Sequence, residues 1–187
     1  VKTEGNYIIL TPENSTNTGV IFYPGGKVEE TAYLPLLEKL QEKGITCVLV
    51  KMPFHLAVFG SSFANDAYSL LPNVENWYIG GHSLGGAMAS NYFANNQDEI
   101  NGIFLLGAYA YGDVPLEQTI TIYGSKDTVL DKSKVEYTTG VYVIEGGNHA
   151  QFGNYGKQSG DGNASITSEE QQEITSEKLL EFIELHN

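Results

Sequence analysis

The chain has 187 residues, enough for one domain spanning 1–187 that buries most of its unfolded surface without a disulfide or metal staple. Ten Lys and Arg stand against 23 Asp and Glu, a formal charge of −13. That balance argues against nucleic acid and against anionic lipid as partners, since both require clustered cations. A single cysteine, Cys47, excludes an internal disulfide and a multi-cysteine zinc site. Its apolar setting, Thr46-Cys47-Val48-Leu49-Val50, marks a buried structural thiol.

The longest apolar stretch, Ile103 to Tyr111, falls well short of the roughly 18 residues of a membrane span. The sequence begins at Val1 rather than Met, so a cytoplasmic protein and an exported or anchored one whose leader was removed both fit. Asn14-Ser15-Thr16 and Asn163-Ala164-Ser165 match the short glycosylation pattern.

In chain order, Asn6–Thr11 and Gly19–Tyr23 read as strands, and the turn-rich residues between them predict that the two pair as a hairpin. Glu29–Lys43 reads as a helix with an apolar stripe of Leu36, Leu37 and Leu40, stopped by Gly44. Ile45–Val50 has the uninterrupted apolar character of a strand buried on both faces. A weaker helix is predicted over Ser61–Leu71, a strand closes at Trp77–Gly80, and Leu84–Asn95 has helical composition. Strands follow at Gly102–Leu106, Thr119–Tyr123 and Val141–Ile144. Thr167-Ser168-Glu169-Glu170 is a capping box that opens a last helix with Leu179, Leu180, Phe182 and Ile183 on one face. This alternation predicts an α/β fold with a mostly parallel central sheet and helices on both faces. In such sheets sites lie at the carboxyl ends of the strands.

One motif sits there. Gly81-His82-Ser83-Leu84-Gly85 is a G-x-S-x-G sequence between a predicted strand and a predicted helix. In that context it reads as a nucleophile elbow, in which a strained turn lifts the serine hydroxyl above the sheet edge. No Gly-Lys-Ser/Thr accompanies it, which argues against a phosphate loop.

A serine hydroxyl needs a base, and the base needs an orienting acid. His82 adjoins the serine and is poorly placed to reach its Oγ, and His186 lies at the C-terminus. His149, in Gly146-Gly147-Asn148-His149-Ala150 just past the last strand, has the chain order Ser, acid, His expected for an elbow. Asp127 follows the Thr119–Tyr123 strand by a short turn and is the preferred acid, with Asp113 the runner-up and Asp131 further along the same loop. Donors for a developing oxyanion are expected from the backbone N–H of Leu84 and from the glycine loop Tyr23-Pro24-Gly25-Gly26-Lys27, with Gly26 preferred. Lys51, Met52 and His55 are candidates for one wall of a substrate site. The loop 151–163, with Phe152, Tyr155 and Asp161, is a candidate for another.

Five stretches together resemble compact bacterial α/β-hydrolases of the alpha/beta hydrolase fold-5 group, relatives of the dienelactone hydrolases. They are Val20-Ile21-Phe22-Tyr23-Pro24-Gly25-Gly26, Val50-Lys51-Met52-Pro53, Ile79 through Gly86, Ile122-Tyr123-Gly124-Ser125-Lys126-Asp127, and Gly146 through Gly153. The resemblance implies an α/β-hydrolase fold, a Ser83–Asp127–His149 triad and an oxyanion hole at Leu84 and Gly26. It departs from dienelactone hydrolases proper, which use cysteine where this chain has Ser83. The implied activity is hydrolysis of carboxylic esters or thioesters through an acyl-enzyme, with acyl transfer, amide cleavage and a non-catalytic binding role as alternatives. Such chemistry requires no metal or organic cofactor. The short spans between Ser83, Asp127 and His149 leave no room for a large lid. Short acyl groups, on small molecules or on polymers, are therefore the expected substrates.

Overall fold

In the computed structural model, which describes residues 1–135 and 139–187, the chain builds one eight-stranded sheet. The strands are β1 (Lys2–Glu4), β2 (Tyr7–Leu10), β3 (Thr18–Tyr23), β4 (Thr46–Val50), β5 (Asn76–His82), β6 (Gly102–Leu106), β7 (Thr119–Gly124) and β8 (Val141–Ile144). Among the described residues four α-helices accompany them: α1 (Leu34–Glu42), α2 (Ala64–Leu70), α3 (Leu84–Ala94) and α4 (Ser168–His186). The strand order is β1-β2-β4-β3-β5-β6-β7-β8. From β4 to β8 every pairing is parallel, and β1 and β2 complete the other edge antiparallel.

The two-residue period of the strands divides the core into two layers. Val20, Phe22, Cys47, Leu49, Phe104 and Leu106 face α1 and α4, where Leu36, Leu37, Leu40, Leu179, Phe182 and Ile183 cover them. Ile21, Tyr23, Val48, Val50, Ile79 and Leu105 face the other way, onto α2 and α3. Cys47 is fully buried in the first layer, as its apolar neighbours predict, and burial pushes its thiol well above its ordinary pKa.

Two expectations are corrected. The hairpin between the first two predicted strands does not form. Instead β2 runs antiparallel to β4, with Tyr7 opposite Val50 and Leu10 opposite Cys47. Both edges of β3 are taken by parallel neighbours, β4 and β5, so it has no edge left for β2. The turn-rich connection crosses the start of β4, where the Thr16 N–H donates to the Gly44 carbonyl at 2.9 Å. The helix expected over Glu29–Lys43 also divides. Glu30–Tyr33 forms a 3₁₀ turn, and α1 begins at Leu34 with Pro35 in its first turn, where a missing N–H costs nothing. The capping box of α4 is present, with the Glu170 N–H donating to Thr167 Oγ1 and the Thr167 N–H donating to Glu170 Oε2.

Candidate active site

Ser83 stands between β5 and α3 with φ 52° and ψ −123°, a conformation that non-glycine residues rarely hold. Its N–H donates to the Leu106 carbonyl at 2.9 Å, tying the turn to β6. The flanking glycines are dictated by proximity. A Cβ on Gly81 would collide with the Tyr23 carbonyl, and one on Gly85 with the carbonyls of Tyr23 and Pro24. The loop after β3 is therefore packed against the turn. Ser83 occupies the N-cap position of α3 without a side-chain capping bond; the first N–H groups of that helix have no intrahelical acceptor and its dipole favours negative charge there.

His149 and Asp127 meet from neighbouring strand ends. His149 Nδ1 donates to Asp127 Oδ2 at 2.8 Å, and each residue is 1% exposed. Asp127 Oδ1 accepts from the N–H groups of Val129 and Leu130, each at 2.9 Å. Burial opposes charge on this carboxyl. The His149 hydrogen bond and charge, with the two backbone donors, outweigh it and hold the pKa below the usual carboxylate value. Gly107 backs the pair at φ 52°; a Cβ there would stand 3.0 Å from His149 Nδ1. On the other side of the ring, His149 Nε2 is buried without a hydrogen-bond partner among the described residues. Asp161 holds the backbone in place, its carboxylate accepting from the N–H groups of His149 and Ala150 at 3.2 and 2.9 Å.

Ser83 and His149 open onto one cavity of about 350 Å³. Leu84, Ala87, Ala108, Tyr109, Val129 and Leu130 make its largely apolar lining, with Asp131 contributing as well. Gly26 adjoins it, since a Cβ there would lie 3.0 Å from Leu84 Cδ2. Among the described residues the Gly26 N–H makes no hydrogen bond.

The other predicted residues are placed differently. Phe152 is fully buried 5.6 Å from the His82 ring, in the core beneath the site, so its expected contact with substrate is corrected to a packing role. Met52 is also buried, packed with Tyr7, Ile9 and Val50. Lys51 donates its N–H to the Asn6 carbonyl, and neither residue lines the cavity. His55 is exposed outside the glycine loop, its carbonyl accepting from the Lys27 N–H at 2.8 Å. With Glu29 and Glu30 it is the one set of imidazole and carboxylate groups, among the described residues, close enough to share a cation. Asp113 is exposed and does not line the cavity that Ser83 and His149 share, its carbonyl accepting from Gln97. The His186 ring lies against the carbonyls of Phe182 and Glu117.

Sequence reasoning missed Tyr109, Val129 and Leu130 as lining residues, and it set His82 aside. The His82 ring is 1% exposed, 2.8 Å from the Tyr33 hydroxyl and 4.6 Å, centroid to centroid, from the ring of His149.

A family model described as alpha/beta hydrolase family matches residues 19–173. No curated protein matches the chain. Among solved structures, Est1E from Butyrivibrio proteoclasticus, determined with ferulic acid bound, is similar at TM-score 0.69 and 15% identity over 95% of each chain. The Paleococcus ferrophilus monoacylglycerol lipase is similar at TM-score 0.69 and 14% identity over 96% of this chain and 100% of that one. MGS-MChE2, an alpha/beta hydrolase from the metagenome of Mar Chica lagoon sediments, gives 0.67 and 14% over 96% and 97%. At these identities the likeness is one of fold.

Proposed function

Since the chain belongs to the alpha/beta hydrolase family, we propose that it is a serine hydrolase of carboxylic esters carrying short or otherwise accessible acyl groups. The observation that carries this reading is the solvent-shielded His149–Asp127 pair, in which His149 Nε2 has no hydrogen-bond partner among the described residues and His149 lines one cavity with Ser83. Asp127 accepts the Nδ1–H and leaves the Nε2 lone pair as base. Nε2 takes the Ser83 Oγ proton as Oγ bonds to the acyl carbon, and the carbonyl electrons move to oxygen. The N–H groups of Leu84 and Gly26 receive that oxyanion. As the C–O bond to the leaving group breaks, His149 returns the proton to the departing alcohol. Water then enters by the same route, with His149 as base, and releases the acid and Ser83.

A cavity of about 350 Å³ with an apolar lining favours a short aliphatic or single-ring acyl group. Tyr109 in its wall favours testing an aromatic one, as does the ferulic acid bound to Est1E. The test is turnover of p-nitrophenyl esters from acetyl to decanoyl, with a feruloyl ester and a Ser83→Ala variant alongside. Turnover is expected to peak at short or single-ring acyl groups and to fall about 10⁴–10⁶-fold in kcat in Ser83→Ala. Undiminished turnover in that variant overturns the mechanism. Absence of turnover together with failure of Ser83 to react with a fluorophosphonate favours a binding role on this fold.

A further inference from the structure

Behind the loop that carries Gly26 runs a buried chain of polar groups that the proposed chemistry does not use. The Gly25 N–H donates to the Tyr33 hydroxyl at 3.0 Å, and that oxygen lies 2.8 Å from His82 Nδ1. Tyr33 is fully buried, and burial keeps its phenol protonated. Among the described residues His82 Nδ1 is the one acceptor beside the Tyr33 hydroxyl proton, so Tyr33 accepts from Gly25 and donates to Nδ1. His82 is then a neutral imidazole with its proton on Nε2, an atom that is buried without a hydrogen-bond partner among the described residues. Burial, and next the neighbouring His149 imidazole, push its pKa well below the ordinary value, which agrees with that assignment. The fit is close, for a Cβ on Gly25 would stand 2.7 Å from the Tyr33 hydroxyl and 2.9 Å from His82 Nδ1.

We propose that Tyr33 and His82 are positioning residues that form a strut fixing the Gly25–Gly26 loop relative to Ser83. The proposal rests on the serine-hydrolase reading above. Its physical basis is that two adjacent glycines leave a loop with large conformational freedom. An oxyanion donor works only if its position is set before charge develops. His82 is the last residue of β5 and directly precedes Ser83. The strut therefore refers the Gly26 N–H to the same strand end that sets Ser83 and the Leu84 N–H. The His82 ring also lies beside that of His149 at an interplanar angle of 48°, so one side chain adjoins the histidine base and the tyrosine that holds the oxyanion loop.

The test compares Tyr33→Phe, His82→Ala and His82→Asn with the parent, using p-nitrophenyl butyrate and its thiono analogue, in which sulfur replaces the carbonyl oxygen. Sulfur is a weak acceptor, so the thiono ester depends less on the N–H donors. Removing an oxyanion donor outright costs about 10²–10³ in kcat, and loosening one costs less. Tyr33→Phe and His82→Ala are expected to lower kcat for the oxygen ester roughly 10–100-fold, with KM little changed and the oxygen-to-thiono ratio reduced. His82→Asn, whose Oδ1 can accept from Tyr33, is expected to restore most of that loss. Hydrogen exchange at the Gly25 amide is expected to quicken in Tyr33→Phe. Oxygen-ester kcat within twofold of the parent in Tyr33→Phe overturns the proposal. So does a fall in kcat with an unchanged oxygen-to-thiono ratio, which marks a packing defect, and so does unchanged exchange at Gly25. Tyr33→Phe removes a single oxygen and decides the matter if His82→Ala does not fold. Should Ser83→Ala hydrolyse esters like the parent, the serine reading fails, and exchange at Gly25 still tests the strut by itself.

Discussion

Two oxygen atoms of Asp127 carry separate tasks. Oδ1 is held by the N–H groups of Val129 and Leu130, and Oδ2 receives Nδ1–H of His149. Asp127→Asn preserves the shape and one acceptor oxygen but removes the charge. If the amide oxygen stays with the two backbone donors, an NH₂ group faces Nδ1 and forces the other tautomer on His149, which leaves Nε2 protonated and unable to act as base. The expected outcome is a loss of roughly 10⁴ in kcat with folding retained. Asp113→Asn is expected to stay within about twofold of the parent, because that side chain is exposed and does not line the cavity at Ser83 and His149. Steady-state kinetics on the best p-nitrophenyl ester checks both. The reverse ranking moves the acid to the loop after β6.

At the scale of elements, what was legible in the sequence was what depends on near neighbours. The strand-turn-helix around Ser83 was visible because glycine is required wherever backbones cross as closely as Gly81 and Gly85 cross the Tyr23 carbonyl. The α4 cap was visible because its two hydrogen bonds join residues three apart. The partner of β2 was not, since Tyr7–Leu10 is buried throughout and such a run does not say which strand lies beside it. Strand β1 went unseen because Lys2-Thr3-Glu4 is short, polar and on an edge. The Tyr33–His82 contact spans 49 positions and has no local signature, so His82 read only as the variable residue of its motif. Phe152 was misassigned for a related reason. Lying beside His149 in sequence suggests the cavity, whereas the turn at Ala150–Phe152 directs its ring into the core. The cap gives a prediction of its own. Thr167→Ala removes the acceptor for the Glu170 N–H and is expected to lower stability by about 1 kcal/mol. A shift in urea midpoint with unchanged kcat is the expected reading, because α4 supports the sheet through Leu179, Phe182 and Ile183 and does not line the cavity at Ser83.

For the whole molecule, pH acts through two opposing effects. With a formal charge of −13, protonating carboxylates relieves self-repulsion and favours the compact state as pH falls. His82 works in the other direction. Its folded pKa lies well below the ordinary value of about 6.5, so below that pH the unfolded chain binds a proton that the folded one refuses. The stability it confers is therefore complete above about pH 6.5 and is lost as pH falls, at up to about 1.4 kcal/mol per pH unit. Asp127 has a folded pKa below its ordinary value, so its contribution is present above the usual carboxylate range and is lost at lower pH than the interval from 7.5 to 5 over which His82 is tested. Tyr33, His149 and Tyr155 ring the His82 imidazole, and none of them is an acid ionised near neutrality that would draw a proton onto it. Urea midpoints of the parent and of His82→Asn between pH 7.5 and 5 separate the two effects, because the repulsion is common to both proteins. The stability difference between them is expected to change by the equivalent of one proton over that range, the parent losing more. Parallel curves would mean that His82 takes up a proton in the folded state, and the direction of the Tyr33 hydrogen bond would then have to be reversed.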